Sequence, residues 1–291
     1  MQPDILLTLS AGSLRPILGG KDPRCATIYE VPQFAATHLE LRGLNLPTDM
    51  LKGFGLTEIE RFRDEADRAH CPVLMLFEEN PINFAVRGTP EWTASLDRLR
   101  RLATAANRLG CPSIAVRAQS PDTEEAFEAT SIGVKVALRE IDKFELNLLL
   151  TPNEGLTFDA GRLTDLIKKI GGFRIGSYPS FAHAHATGEL EKTLRKLAPY
   201  APAIAASVRG FDKEGVHDGY SLDACIESIR SVGYGNTLAL DFVGKGDPEK
   251  KASKKGPSID IVAELDTARK QLAALTAEPE FSDALLEEDE E

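Results

Sequence analysis

Short apolar runs alternate with amphipathic stretches along the whole of this 291-residue chain, and no two strand-like runs follow each other directly. ILLTLS (5–10), HLELRG (38–43), CPVLMLF (71–77), PSIAVR (112–117), LNLLLT (146–151), FRIGSY (173–178), PAIAASVR (202–209) and TLALDF (237–242) read as strands. In the second run Leu39 and Leu41 fall on one face and Glu40 and Arg42 on the other, the period of a half-buried strand. Helical periodicity fills the intervals. Thr57 to Glu60 has the spacing of a capping box and opens a helix to about residue 70. Thr89-Pro90 opens another, which Gly110 closes. Further helices are expected over 123–142, 159–170, 190–197, 221–232 and 260–274. Strictly alternating strand and helix implies a parallel sheet, and about eight such units in under 300 residues is the size of a single-domain (β/α)8 TIM barrel. A doubly wound open sheet is the competing α/β arrangement, but no GxGxxG follows the first strand.

The remaining totals exclude several classes. Hydrophobic content of 42% and charged content of 27% suit a soluble domain with a sizeable core. No apolar run reaches the roughly 18 residues of a membrane span, and MQPDILLTLS carries an acid where a signal peptide carries bases. The net charge of −11 is concentrated in EPEFSDALLEEDEE (278–291), which holds eight acids and no base. The chain therefore divides into a barrel over 1–276 and an acidic, disordered tail over 277–291 that aids solubility. No basic stripe points to nucleic acid. Cys25, Cys71, Cys111 and Cys225 are scattered without a CxxC pair, which fits buried thiols in a cytoplasmic protein. Nothing in the sequence sets an oligomeric state.

In a barrel of this kind chemistry sits at the C-terminal strand ends. Those ends carry Arg42, Glu78 and Glu79, Arg117, Thr151 with Asn153 and Glu154, Ser180 and His183, Ser207 and Arg209, and Asp241. Arg117 and Arg209 could clamp a phosphate or carboxylate bidentately, or be absorbed in ion pairs with Asp241 or Glu78. Asp241 either faces a ligand or pairs with Arg209 or Arg42. His183 and His185 form an H-x-H in a loop, where structural bonding competes with catalysis. His217 is expected in a loop contact, Glu154 in a solvated turn, and Tyr178 and Phe181 either stack on a sugar ring or pack the rim.

The phrasing of these segments resembles the xylose isomerase-like TIM barrels, a superfamily of sugar isomerases and epimerases and of endonuclease IV. HLELRG resembles that family's "gvEl" strand, and RLATAANRLGCPSIAVR its passage from helix to strand. SLDACIESIRSVGYGNTLALDFVGKGDP resembles its closing "GY-x-G-x-l-x-iE" segment. The resemblance implies a divalent metal held by a glutamate after strand five, the aspartate of D-x-x-H after strand six, a histidine after strand seven and a glutamate after strand eight. Those positions fall here on Thr151, Ser180, Ser207 and Asp241, with His183 keeping the histidine of D-x-x-H. One carboxylate among three hydroxyls is a poor donor set for Mg²⁺ or Mn²⁺, which want about six oxygen ligands, or for Zn²⁺, which wants about four.

The expectation is a carbohydrate isomerase-like barrel without a metal cofactor, acting as a small-polyol or sugar-derivative binder or pseudoenzyme. A shifted Mn, Mg or Zn site is the lesser alternative. If the chain is an active, metal-independent isomerase or epimerase, Asp241, His183 and Glu154 carry the proton. Arg42, Arg117, Asn153, Ser180, Ser207 and Arg209 then hold the substrate. No nucleic-acid or membrane partner is expected.

Overall fold

The computed structural model describes residues 4–244 and 260–277. The acidic segment from residue 278 and the polar stretch 245–259 after the eighth strand lie outside the described residues. Eight strands form one sheet: β1 (Leu6–Ser10), β2 (Leu44–Pro47), β3 (Val73–Ile82), β4 (Ser113–Ala118), β5 (Asn147–Thr151), β6 (Ile175–Ser177), β7 (Ala203–Val208) and β8 (Thr237–Phe242). Their order is β6-β5-β4-β3-β2-β1-β8-β7, and every pairing is parallel. Beyond β6, Ser180 bridges Ala205 of β7, and the Ala205 amide donates to the Pro179 carbonyl at 2.9 Å. The sheet thus curls on itself as a (β/α)8 barrel.

The helices are α1 (Val31–His38), α2 (Leu56–Arg68), α3 (Pro90–Leu109), α4 (Glu124–Ile141), α5 (Ala160–Ile170), α6 (Phe181–Ala186), α7 (Leu190–Leu197), α8 (Leu222–Arg230) and α9 (Ile261–Thr276). Several start where a short oxygen side chain can accept a free amide. Thr89, Thr123, Asp159, Ser180, Ser221 and Asp260 each do so. None of the helices is long and apolar enough to cross a membrane.

Side-chain alternation along the strands builds two cores. One face of each strand packs outward on the helices, as with Leu9, Leu44, Ile114, Leu148, Ile204 and Leu240. The other face fills the barrel interior, where Met75, Ala115, Leu149, Tyr178, Ala203 and Ala205 form a separate cluster with Phe77 against it. Residues one step beyond those interior positions line the C-terminal rim.

Two expectations from the sequence are corrected. The second strand is Leu44–Pro47, not 38–43: His38 ends α1, and Leu39 and Leu41 are buried beside it rather than paired in the sheet. Strands of a parallel barrel are covered on both faces, so apolar–polar alternation pointed to the wrong segment. The capping glutamate of α2 is Glu58, whose carboxylate accepts the Gly55 amide at 2.9 Å, so Thr57 lies inside the helix rather than capping it. The four cysteines are free and buried, and burial raises each thiol, Cys71 to about 11 and Cys25, Cys111 and Cys225 to about 12. At neutral pH they are inert fillers.

Candidate functional site at the C-terminal rim

Polar side chains replace aliphatic ones as the interior rows reach the rim. β1 contributes Ser10, with Thr8 one interior row below it, β2 contributes Asn45, and all three are buried. Asn45 is in register with Ser10 on one side and Met75 on the other. Its amide donates to the Tyr178 hydroxyl at 3.4 Å, while its own Oδ1 has no partner. The Thr8 and Thr151 hydroxyls are also unpartnered and shielded from solvent. Orphaned buried oxygens are costly in a stable fold, about 1–3 kcal/mol each, and mark a place where a ligand or water completes the bonding.

Asp241 stands at the end of β8, in register with Ser207 of β7. Its side chain bonds to Ser10. By area the residue is only partly covered, yet protein atoms crowd its carboxylate. Desolvation therefore raises its pKa above the usual carboxylate range, against opposition from the Ser10 bond and the Arg15 charge. Burial likewise holds Tyr178 protonated far beyond neutrality. The rim opposite β8 is aromatic and cationic. Phe77 meets Tyr178 edge-on at 5.7 Å, and the Arg117 guanidinium lies 5.4 Å from the Phe77 ring centroid.

The ion pairs differ from those expected. Glu78 turns away from the interior, pairs with Arg98 at 3.7 Å and accepts the Asn80 amide at 2.8 Å. Glu79 faces the rim and binds Arg15 at 3.1 Å, and Arg15 also binds Asp49 at 2.6 Å. Arg15 went unnoticed in the sequence because its carboxylates lie 34 and 64 residues away. Neither Arg117 nor Arg209 joins a described ion pair. Arg209 donates its amide to His217 Nε2 at 3.0 Å, and its guanidinium sits close against Gly219.

The other sequence candidates fall as follows. Arg42 is exposed and precedes β2 instead of ending it, so it lies on the strand-entry side, away from the rim. Ser180 sits where β6 hands over to α6, but its hydroxyl is used as the cap that accepts the His183 amide at 3.1 Å. Ser207 lies beside Asp241, and its carbonyl accepts the Tyr220 hydroxyl. The Asn153 backbone amide donates to the Thr157 hydroxyl at 3.0 Å and its carbonyl accepts from that hydroxyl, and Glu154 is exposed in the same turn. His183 donates from Nε2 to the Phe158 carbonyl at 2.9 Å and packs edge-on against the Phe158 ring. His217 is clamped between the Arg209 amide and the Tyr220 carbonyl, which is the loop contact expected of it.

Desolvation lowers the pKa of both His183 and His217. A histidine kept neutral in the fold and freely protonated in the unfolded chain stabilises the protein above its ordinary range near 6.5, and that contribution is lost as pH falls through the depressed folded values. The melting temperature is expected to drop on acidification below about 6.5. A His183→Gln, His217→Gln double variant should flatten that slope in a calorimetric pH series, and an unchanged slope would contradict the assignment.

A groove of about 850 Å³ lies elsewhere, on the flank between α2 and α3, with Ile59 and Leu102 in its floor. The charges bordering it are largely satisfied: Arg98 holds Glu78 and the Pro81 carbonyl, and Arg100 holds Asp97 and Glu140. The unpartnered oxygens of Asn45 and Thr151, and Arg117 without a described ion pair, gather at the C-terminal strand ends, which are therefore the candidate site.

The (β/α)8 fold is shared with several solved proteins. It superposes on a D-psicose 3-epimerase from Clostridium cellulolyticum H10 with a TM-score of 0.72 at 12% identity, covering 94% of this chain and 100% of the other. It matches an L-ribulose 3-epimerase with a TM-score of 0.70 at 12% identity, with 95% of each chain covered. A xylose isomerase domain protein from Planctomyces limnophilus gives 0.66 at 13% identity, over 94% and 96% of the two chains. No protein-family model matches the sequence, and no curated protein does.

A divalent metal of the kind the resemblance implies does not fit the residues at these strand ends. Thr151, Ser180 and Ser207 offer neutral hydroxyls, the Ser180 oxygen is already a helix cap, and His183 is bonded to a backbone carbonyl. Among the described residues no three His, Cys, Asp or Glu side chains are grouped to hold a metal ion. No chemical step is derived through one.

Proposed function

We propose that this chain binds a small polyol or sugar-derived ligand at the C-terminal rim of the barrel, through hydroxyl, amide and carboxylate contacts in place of a metal centre. The observation that carries the proposal is the unpartnered, shielded oxygens of Asn45 and Thr151 at strand ends of the same rim that carries the carboxylates of Asp241 and Glu79. Alternating donors and acceptors of this kind suit the hydroxyls of a carbohydrate, and the Phe77–Tyr178 pair supplies an apolar wall for its ring or carbon chain. The ligand class is supported by structural neighbours named as an L-ribulose 3-epimerase, a D-psicose 3-epimerase and a 3-keto-D-glucoside 4-epimerase. On this proposal the protein is a binder or a pseudoenzyme. Thermal shift with a panel of ketoses and polyols, in chelator-treated buffer, is the test. At least one is expected to raise the melting temperature saturably at millimolar concentration. A flat response across the panel contradicts the proposal.

One observation favours a second proposal, metal-independent isomerisation or epimerisation. Desolvation raises Asp241 toward the range where a carboxyl group can both take and return a proton next to a carbonyl. Arg15, whose charge acts on Asp241, is placed to offset negative charge developing on the substrate. Incubation of the bound ketose in deuterated solvent separates the two: carbon-bound deuterium incorporated by the wild type and absent with Asp241→Asn supports catalysis, and no incorporation supports binding alone.

A further inference from the structure

We infer that the ligand of this rim is anionic, a sugar acid or sugar phosphate, with its carboxylate or phosphate held by Arg117. The inference rests on the proposed sugar-binding role and adds the charge and the orientation of the ligand. Arg117 continues the interior row of β4 two residues beyond Ala115, which lies in the barrel core. Its guanidinium is held over Phe77, and no carboxylate of the described residues forms an ion pair with it. The two acids that could have reached it are engaged elsewhere, Glu78 with Arg98 and Glu79 with Arg15. A cation–π contact with Phe77 does not use up the guanidinium N–H donors, which are free for a planar or tetrahedral oxyanion. Beside it, in register on β5, Thr151 presents a shielded hydroxyl with no partner, a neutral donor on the same side of the rim.

The strand order sets the ligand's direction. β4 is four steps from β8 whichever way the barrel is traversed, so Arg117 and Asp241 stand on opposite sides of the rim. The Arg117 side, whose neighbouring acids are engaged elsewhere, suits an anion. The Asp241 side, with Ser10 and Ser207 beside it, suits the hydroxyl end of the same molecule. A molecule with an oxyanion at one end and a polyol at the other spans the rim in one orientation, whereas a neutral sugar leaves the Arg117 charge unanswered.

The test compares three ligands of one carbon skeleton, D-fructose, D-fructose 6-phosphate and 2-keto-D-gluconate, by calorimetry on the wild type, Arg117→Met and Arg117→Lys. One of the two anions is expected to bind at least tenfold more tightly than D-fructose. Which of them does so separates a phosphate from a carboxylate site. Arg117→Met should weaken that anion by about ten- to a hundredfold, as for a lost charge-assisted hydrogen bond, and weaken D-fructose by much less, so that the preference for the anion disappears. Arg117→Lys, which keeps the charge and loses the fork, should fall between, and it serves alone if Arg117→Met does not fold by circular dichroism. Equal binding of D-fructose and its anions, or a loss in the variants that is the same for all three, overturns the inference and leaves sugar binding standing. Silence from all three overturns both.

Discussion

Gly133→Val is expected to give no stably folded protein. Gly133 lies inside α4, where the helix rides directly on the chain leaving β3: a Cβ at this position would fall on the carbonyl oxygen of Phe84, well inside contact distance. Phe84 is itself buried, so neither backbone can retreat without opening the layer between sheet and helix. Elsewhere in a helix, replacing glycine by alanine gains up to about 1 kcal/mol from propensity. Here even alanine should lose about 1–3 kcal/mol through overpacking, and the branched valine more. Gly161 in α5 is the comparison. Its Cβ would meet only side-chain ends, the capping Asp159 oxygen and the Lys196 ammonium, so Gly161→Ala should cost no more than about 1 kcal/mol, the typical worth of the cap it disturbs. Soluble yield and a far-UV circular dichroism melt decide the matter. A Gly133→Val protein that melts like the wild type would mean that α4 does not pack as described.

Asp241→Asn is expected to weaken ligand binding while raising stability at neutral pH. A carboxylate that accepts a hydrogen bond from a sugar hydroxyl contributes about 1–2 kcal/mol more than a neutral partner of the same shape, roughly five- to thirtyfold in affinity. The stability effect runs the other way. Desolvation raises the folded-state pKa of Asp241 above its ordinary 3.8, so the folded protein prefers the protonated acid. Stability from this group is fully present below the ordinary value and is lost as pH rises through the raised one. Asparagine carries no such penalty. It can keep the Ser10 contact, so its advantage over the wild type should be present at pH 7 and disappear on acidification below about 4. A group retained at a net loss of stability is characteristic of a functional position. Chemical denaturation of both proteins at pH 7 and near pH 3.5 measures the sign, and a variant less stable than the wild type at pH 7 contradicts it.

The barrel was legible in the sequence because its signal is repeated: β8 and α7 have the bounds read from periodicity, and Thr89, Asp159 and Ser221, where helices were expected to begin, are the caps of those helices. The failures share a cause. β2 is four residues long and ends in Pro47, so it has no period to detect, whereas HLELRG alternates convincingly but ends a helix and enters the strand. The six-residue α6 was likewise too short to register. At the rim, Asp241, Ser207, Thr151 and Arg117 were found because they sit two residues past an interior position of a long strand. Arg42 was misplaced with its strand. Arg15 and Asn45 were missed because the first leaves β1 in an aperiodic loop and the second belongs to the strand that was misread. Sequence could name Glu78 and Glu79 as a pair, but only the pleat reveals that one faces the helices and the other the rim.

Isothermal titration of the chelator-treated protein with Mn²⁺, Mg²⁺ and Zn²⁺ addresses the substitution of hydroxyls for metal ligands most directly. With Thr151, Ser180 and Ser207 at three of the four strand ends, no saturable one-to-one heat in the micromolar range is expected from any of the three ions. Stoichiometric micromolar binding that disappears in Asp241→Asn would mean that these strand ends still grip a cation, and a metal-free sugar site would no longer stand.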